Sequence, residues 1–141
     1  MKITICCSLS FKDEVLEIQE RLKSMGHHVL LPDTIIESQE KGIADAKTLS
    51  AEYQANDIMH VAKKMKLHYQ KIKDSDAVLV CNYAKNGVNN YIGASSFLEM
   101  GIAFDNDKKI FLLNDVPEMG LKDEVEAMEP VVIRQDLRMI C

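Results

Sequence analysis

Glu99 is the residue whose surroundings most clearly suggest chemistry. It lies in the segment Gly93–Ala103, which reads Gly-Ala-Ser-Ser-Phe-Leu-Glu-Met-Gly-Ile-Ala, about one turn inside a predicted helix. Its neighbours are small or apolar, so the carboxylate is expected to be partly desolvated and directed at a ligand. The alternative is a glutamate on the solvated face of a helix, and periodicity alone does not decide between the two.

Serine and glycine residues stand at the predicted starts of two helices. Ser8 and Ser10 follow the first apolar run, and Gly93, Ser95 and Ser96 begin the segment just described. The free N–H groups and the positive dipole end of a helix N-terminus attract anions, and serine hydroxyls add donors. Serine is also an ordinary helix cap, so each residue alone has a structural alternative. The patterns GxGxxG and GxxxxGK[ST] are absent, which weakens the case for dinucleotide or triphosphate binding.

The elements that must position these residues follow from the alternation of short apolar runs with longer amphipathic segments. Phe11 to Met25 has apolar residues spaced 4, 3, 4 and 3 apart, which predicts a helix capped by Ser10 and ended by Gly26. The polar segment 32–50 predicts a long loop that is partly helical. The remaining predictions are strands at 2–7, 28–31, 77–81, 109–113 and 131–133, helices at about 51–73, 94–106 and 121–128, and a turn at 136–140.

This order predicts a single α/β domain over residues 1–141. Strands separated by helices run parallel, and the natural arrangement is a flavodoxin-like doubly wound sheet of five strands in the order 2-1-3-4-5. Ligands bind such sheets beyond the carboxyl ends of the strands where the order reverses, here between strands one and three. The two segments expected to meet there supply the candidate substrate- or phosphate-binding residues, which are Ser8, Ser10, Asn82, Gly93, Ser95 and Ser96.

The composition is that of an acidic globular chain. Of its 141 residues, 17 are basic and 22 acidic, a net charge of −5, which argues against general binding to nucleic acid or to an anionic membrane. No apolar run has the length of a membrane span, and no signal peptide is evident, so we expect a cytoplasmic protein. Cys6, Cys7, Cys81 and Cys141 show neither a CxxC pair nor zinc spacing. We interpret them as reduced thiols, with a metal or redox role as the minor alternative.

The chain resembles the nucleoside 2-deoxyribosyltransferase family over most of its length. Within the resemblance, the Glu-x-Gly-x-Ala element from Glu99 to Ala103, with its flanking strands, is the most specific part. The segments that carry the resemblance are 3–10, 26–29, 75–80, Asn82, 93–103 and 108–113.

The resemblance implies a flavodoxin-like enzyme that exchanges bases between deoxynucleosides or hydrolyses the N-glycosidic bond of deoxynucleoside 5′-monophosphates. Glu99 would be the nucleophile, with no metal or cofactor. Ser8 together with Ser95 or Ser96 would suit a 5′-phosphate. Ser10 stands where the hydrolase branch has a phosphate-binding arginine, and Lys85 is a candidate replacement. The resemblance also implies a homodimer or a larger homo-oligomer.

Two residues depart from the family pattern. Thr4 stands where the family usually has a tyrosine on strand one, and His68 stands where it usually has an aspartate that handles the proton on the leaving base. Histidine can do acid–base work near neutral pH, so His68 remains a catalytic candidate, with packing in a helix seam as its alternative. The departures also favour a second hypothesis, a catalytically impaired nucleotide-binding or sensing domain. The sequence gives little support for a flavin-dependent electron carrier, because the Thr/Ser-rich phosphate loop expected for a flavin mononucleotide site is not seen.

Overall fold

The computed structural model describes residues 1–42 and 58–141 and contains one parallel sheet in the predicted order, β2-β1-β3-β4-β5. The strands end within one residue of their predicted C-terminal limits, because each apolar run stops at a polar or turn-forming residue. Their bounds are β1 Lys2–Cys6, β2 His28–Leu30, β3 Ala77–Val80, β4 Lys109–Leu112 and β5 Val131–Val132. The fold class predicted from the sequence is therefore confirmed.

The described residues also contain five helices and two short 3-10 turns. The helices are α1 Lys12–Ser24, α2 Asp33–Lys41, α3 Ile58–Lys73, α4 Ala94–Asp105 and α5 Lys122–Ala127, and the turns are Leu9–Phe11 and Leu137–Met139. The predicted loop residues 43–50 and the predicted helical residues 51–57 lie outside the described residues. In that same described part, no helix is long and apolar enough to cross a membrane.

One local prediction is corrected by the structure. Ser10 does not cap α1: Ser8 caps the preceding 3-10 turn, its side chain accepting the Ser10 N–H, and α1 begins only at Lys12. The polar segment 32–50, predicted as a long loop that is partly helical, does contain a helix, α2, in which Ile35 and Ser38 are buried.

The sheet separates two apolar layers. Alternate residues of a strand point to opposite faces, so Ile3 and Ile5 pack with α1 and α2, while the neighbouring Cys6 packs with the other helices. The layer that contains Cys6 is filled by Ile72 of α3 and Met100 of α4. Cys6, at the carboxyl end of β1, is therefore brought close to α3 and α4.

The loop after β3 turns back over the end of β1. Lys85 and Val88 form an isolated antiparallel bridge closed by Asn86 and Gly87, whose φ angles of 53° and 74° are in the left-handed region. Asparagine and glycine tolerate these angles best, which explains the Asn-Gly pair in the sequence. The hairpin places the Lys85 ammonium group 2.8 Å from the Ser8 hydroxyl.

Candidate active site

A cavity of about 380 Å³ opens where the strand order reverses, between the carboxyl ends of β1 and β3. Its wall comes from the β1–α1 connection, the start of α2, one face of α3, the hairpin after β3 and the start of α4. The lining residues are Cys7–Ser10, Pro32–Thr34, Lys64, Met65, His68, Tyr69, Lys85, Tyr91, Gly93–Ser96 and Glu99.

Most of the site residues predicted from the sequence meet in this cavity. Ser8, Ser10, His68, Gly93, Ser95, Ser96 and Glu99 all contribute to its lining.

Asn82 lies outside the cavity lining and has a different task. Its side-chain N–H group donates to the backbone carbonyls of Asn90, Asn114 and Asp115, and its side-chain oxygen accepts the Asn114 N–H. These bonds use the whole amide group to join the loops after β3 and β4. The geometry thus makes Asn82 a structural support rather than a ligand contact.

Glu99 and His68 face each other across the seam between α3 and α4. The distance from His68 Nε2 to Glu99 Oε2 is 3.6 Å, and only 7% and 14% of the two side chains are exposed. Both His68 ring nitrogens and Glu99 Oε2 are buried with no hydrogen-bond partner among the described residues. Buried polar groups are normally satisfied, so unpartnered groups beside a cavity point to a ligand that would complete them.

Cys6 lies beside this pair at the end of β1. Burial raises the pKa of its thiol well above the ordinary value, and the nearby Glu99 carboxylate raises it further. Burial likewise raises the pKa of Cys7, and it raises that of Cys81 to about 12. The three thiols are therefore protonated near neutral pH in the absence of a metal ion.

The rim of the cavity offers donors for an anion. Gly93 provides no side-chain cap for α4, and the first residues of this helix line the cavity. The Ser8 oxygen accepts from Lys85 Nζ at 2.8 Å and from the Ser10 N–H at 3.3 Å. With both lone pairs occupied, the remaining Ser8 O–H proton can donate to a ligand.

Sequence reasoning missed two tyrosines that line the cavity. Tyr69 follows His68 on α3, and burial together with the Glu99 carboxylate raises the pKa of its phenol. Tyr91 precedes the start of α4. Both supply aromatic surface suited to a planar ring, and the signal available in the sequence was their position next to candidate residues.

Thr4 contributes no side chain to the cavity at the position where the resemblance in sequence leads us to expect a tyrosine. It is fully buried in β1, and its hydroxyl forms a 2.7 Å hydrogen bond with the Ser75 hydroxyl. The residue joins β1 to the turn between α3 and β3 and is absent from the cavity lining.

Solved structures similar to this chain include those of two enzymes. A 2-deoxyribosyltransferase of Bacillus psychrosaccharolyticus matches with a TM-score of 0.53 and 16% identity, over 79% of this chain and 71% of the other. A CMP N-glycosidase of Clostridium botulinum matches with a TM-score of 0.52 and 12% identity, over 94% and 85%. Comparison with models of protein families and with curated proteins gives no match.

At these identities the likeness establishes the fold. The two proteins are of the two kinds, transferase and N-glycosidase, that the resemblance in sequence indicated.

Proposed function

We propose that this chain cleaves the N-glycosidic bond of a nucleoside or nucleotide through a glycosyl-enzyme on Glu99, and that the sugar then passes to water or to a second base. The observation that carries the proposal is the buried, unpartnered Glu99 oxygen facing His68 at a cavity with an anion-binding rim. The fold shared with a 2-deoxyribosyltransferase and a CMP N-glycosidase supports the same chemistry.

The chemistry requires a carboxylate and a proton donor of the protein that act on the same substrate molecule. A Glu99 oxygen attacks the anomeric carbon, the bond to the base nitrogen breaks, and the base leaves with the electron pair and takes up a proton. Water or a second base then attacks the same carbon and releases Glu99 with net retention. His68 lies close enough to Glu99 for both side chains to contact one substrate molecule. Its imidazole can deliver the proton to the leaving base.

The cavity rim favours a substrate with a phosphate group. Ser8, Lys85 and the uncapped start of α4 together supply a hydroxyl proton, a positive charge and free backbone N–H groups. Among the described residues, no carboxylate forms an ion pair with Lys85. Its charge is therefore available to a nucleoside monophosphate.

An impaired nucleotide-binding or sensing domain remains the second candidate. The buried bond between Thr4 and Ser75 favours it, because the family's tyrosine has no substitute at that position. In this reading the cavity and its rim bind a nucleotide without efficient turnover. With either function we propose a homo-oligomer. Its interface would cover exposed apolar side chains such as Leu98 and Phe104, which are 51% and 54% exposed.

Incubation of the protein with a panel of deoxynucleosides, ribonucleosides and their 5′-monophosphates tests the proposal. Chromatography should show released free base, or an exchanged nucleoside when a second base is added. Tight binding of a panel member without any base release would favour the sensing domain.

The anion rim predicts a preference for monophosphates that depends on Lys85. A monophosphate at 100 times its dissociation constant should stabilise the protein by about 2.7 kcal/mol in a thermal-shift assay. Lys85→Ala should weaken monophosphate binding by roughly 10- to 100-fold, because a hydrogen bond to a charged group contributes about 1.5–3 kcal/mol. Binding of the matching nucleoside should not change.

Lys66→Ala is the matched control, since Lys66 is exposed on α3 and does not line the cavity. Equal stabilisation of the wild-type protein by monophosphate and nucleoside would show that the rim does not bind the phosphate group.

A further inference from the structure

Three different metal-ligating groups converge beside the cavity. One ligand atom each of Cys6, His68 and Glu99 can be chosen so that all three lie within 4.8 Å of one another. They come from the end of β1, from α3 and from the second turn of α4.

The distance between His68 and Glu99 suits two ligands of one ion better than it suits a hydrogen bond. Nε2 and Oε2 are 3.6 Å apart, and neither atom has a partner in residues 1–42 and 58–141. Tetrahedral coordination with bonds of about 2.0–2.3 Å places neighbouring ligand atoms roughly 3.3–3.7 Å apart. The two side chains therefore already stand at a ligand-to-ligand spacing, and a modest approach by the Cys6 sulfur completes three positions.

We propose that Cys6, His68 and Glu99 form a binding site for a thiophilic divalent transition-metal ion, with Zn²⁺ as the best match. Thiolate, imidazole and carboxylate are all zinc ligands, whereas Mg²⁺ and Ca²⁺ take oxygen ligands and do not select thiolate. The unpartnered nitrogens of the buried His68 side chain are the independent sign that this cluster lacks a ligand.

The site has the form of an open zinc site. His68 and Glu99 line the cavity, whereas Cys6 is fully buried behind them. Three protein ligands would hold the ion from the wall, and the fourth position would face the cavity and accept water or a small ligand. On binding, the Cys6 S–H bond breaks, its proton passes to solvent, and the sulfur electron pair forms the bond to the metal.

Metal binding and nucleophilic attack would compete for the same carboxylate. An ion bound to Glu99 occupies the oxygen that would attack the sugar, so Zn²⁺ should inhibit base release. This consequence rests on the proposed function, whereas metal binding itself does not.

Titration of the reduced, metal-free protein with Co²⁺ tests the site through its spectrum. We expect one ion per chain, intense visible d–d bands of a four-coordinate ion, and a near-ultraviolet charge-transfer band from thiolate to cobalt. Zn²⁺ should displace Co²⁺ and abolish these bands. A wild-type protein that takes up no Co²⁺, or that binds it without the thiolate band, would overturn the proposal.

Variants identify the ligands. Cys6→Ala should lose the thiolate band, while Cys7→Ala and Cys141→Ala should retain it because neither residue belongs to the cluster. A band that survives in Cys6→Ala, or that disappears in Cys7→Ala, would assign the thiolate elsewhere and refute the site. Glu99→Gln and His68→Gln should each weaken Zn²⁺ binding by at least about 100-fold, since even outer-shell partners contribute 10- to 100-fold.

These readouts are separable from activity. Circular dichroism and thermal melting establish that each variant is folded, and Glu99→Gln provides a second test if Cys6→Ala does not fold. A thiolate-bound cobalt spectrum in a protein that releases no base would support the metal site and refute the proposed enzyme. Base release by a protein that binds no cobalt would support the proposed enzyme and refute the metal site.

Discussion

Glu99→Gln should reduce base release by at least about 1,000-fold while leaving the fold intact. The substitution keeps the shape of the side chain and removes the charge that attacks the anomeric carbon and stabilises the oxocarbenium-like state. A 1,000-fold loss corresponds to about 4 kcal/mol of activation free energy. The measurement is single-turnover and steady-state release of base, together with a thermal melt and nucleotide binding for each variant.

Glu124→Gln is the matched control, because Glu124 is an exposed glutamate on α5 and is absent from the cavity lining. It should leave turnover at the wild-type value. A 2-fluoro-2-deoxynucleoside should also trap an ester on Glu99, visible as added mass on the peptide that contains it. A Glu99→Gln variant as active as the wild-type enzyme would contradict the glycosyl-enzyme and leave nucleotide binding as the better hypothesis.

His68→Ala should affect substrates according to their leaving group. If His68 delivers the proton to the departing base, removing it should slow release of a natural base by about 100- to 10,000-fold, the usual contribution of general acid–base catalysis. Release of a good leaving group that needs no proton, such as nitrophenol from a 2-deoxyriboside, should change much less. The ratio of the two losses in kcat/KM is the quantity to measure.

His60→Ala supplies the control on the same helix, since His60 is exposed on α3 and absent from the cavity lining. The free energy of unfolding must be measured for both variants, because His68 is buried in the seam between α3 and α4 and its removal also costs packing. Equal losses on both kinds of leaving group would assign His68 to packing or to positioning of Glu99.

The order of elements and the place of the site could be predicted from the sequence alone. The strands are short apolar runs and α1 is a clear 3.6-residue pattern, and a parallel sheet with right-handed crossovers leaves few topologies. Once β1 and β3 are neighbours, the segments after them must meet at one edge. For this reason Ser8, Ser95 and Glu99 were expected at one cavity, and the structure brings them there.

The hydrogen-bond partners of individual polar side chains could be identified only from the tertiary structure. Ser8 caps the 3-10 turn before α1, whereas Ser10 does not cap α1. Asn82 joins two loops instead of facing the cavity. Each outcome depends on which donors and acceptors the folded backbone brings within about 3 Å, and side chains of the same type look alike in the sequence.

The cluster of Cys6, His68 and Glu99 was decided by tertiary structure alone. In the sequence the three residues are separated by 62 and 31 positions, and the cysteines show no metal-ligand spacing. Cys6 points to the layer of α3 and α4 only because strand residues alternate between the faces of the sheet, and His68 meets Glu99 only because α3 packs beside α4. Local sequence patterns report which residues share a helix face or a strand face, whereas the convergence of three ligands from three elements follows from how those faces pack.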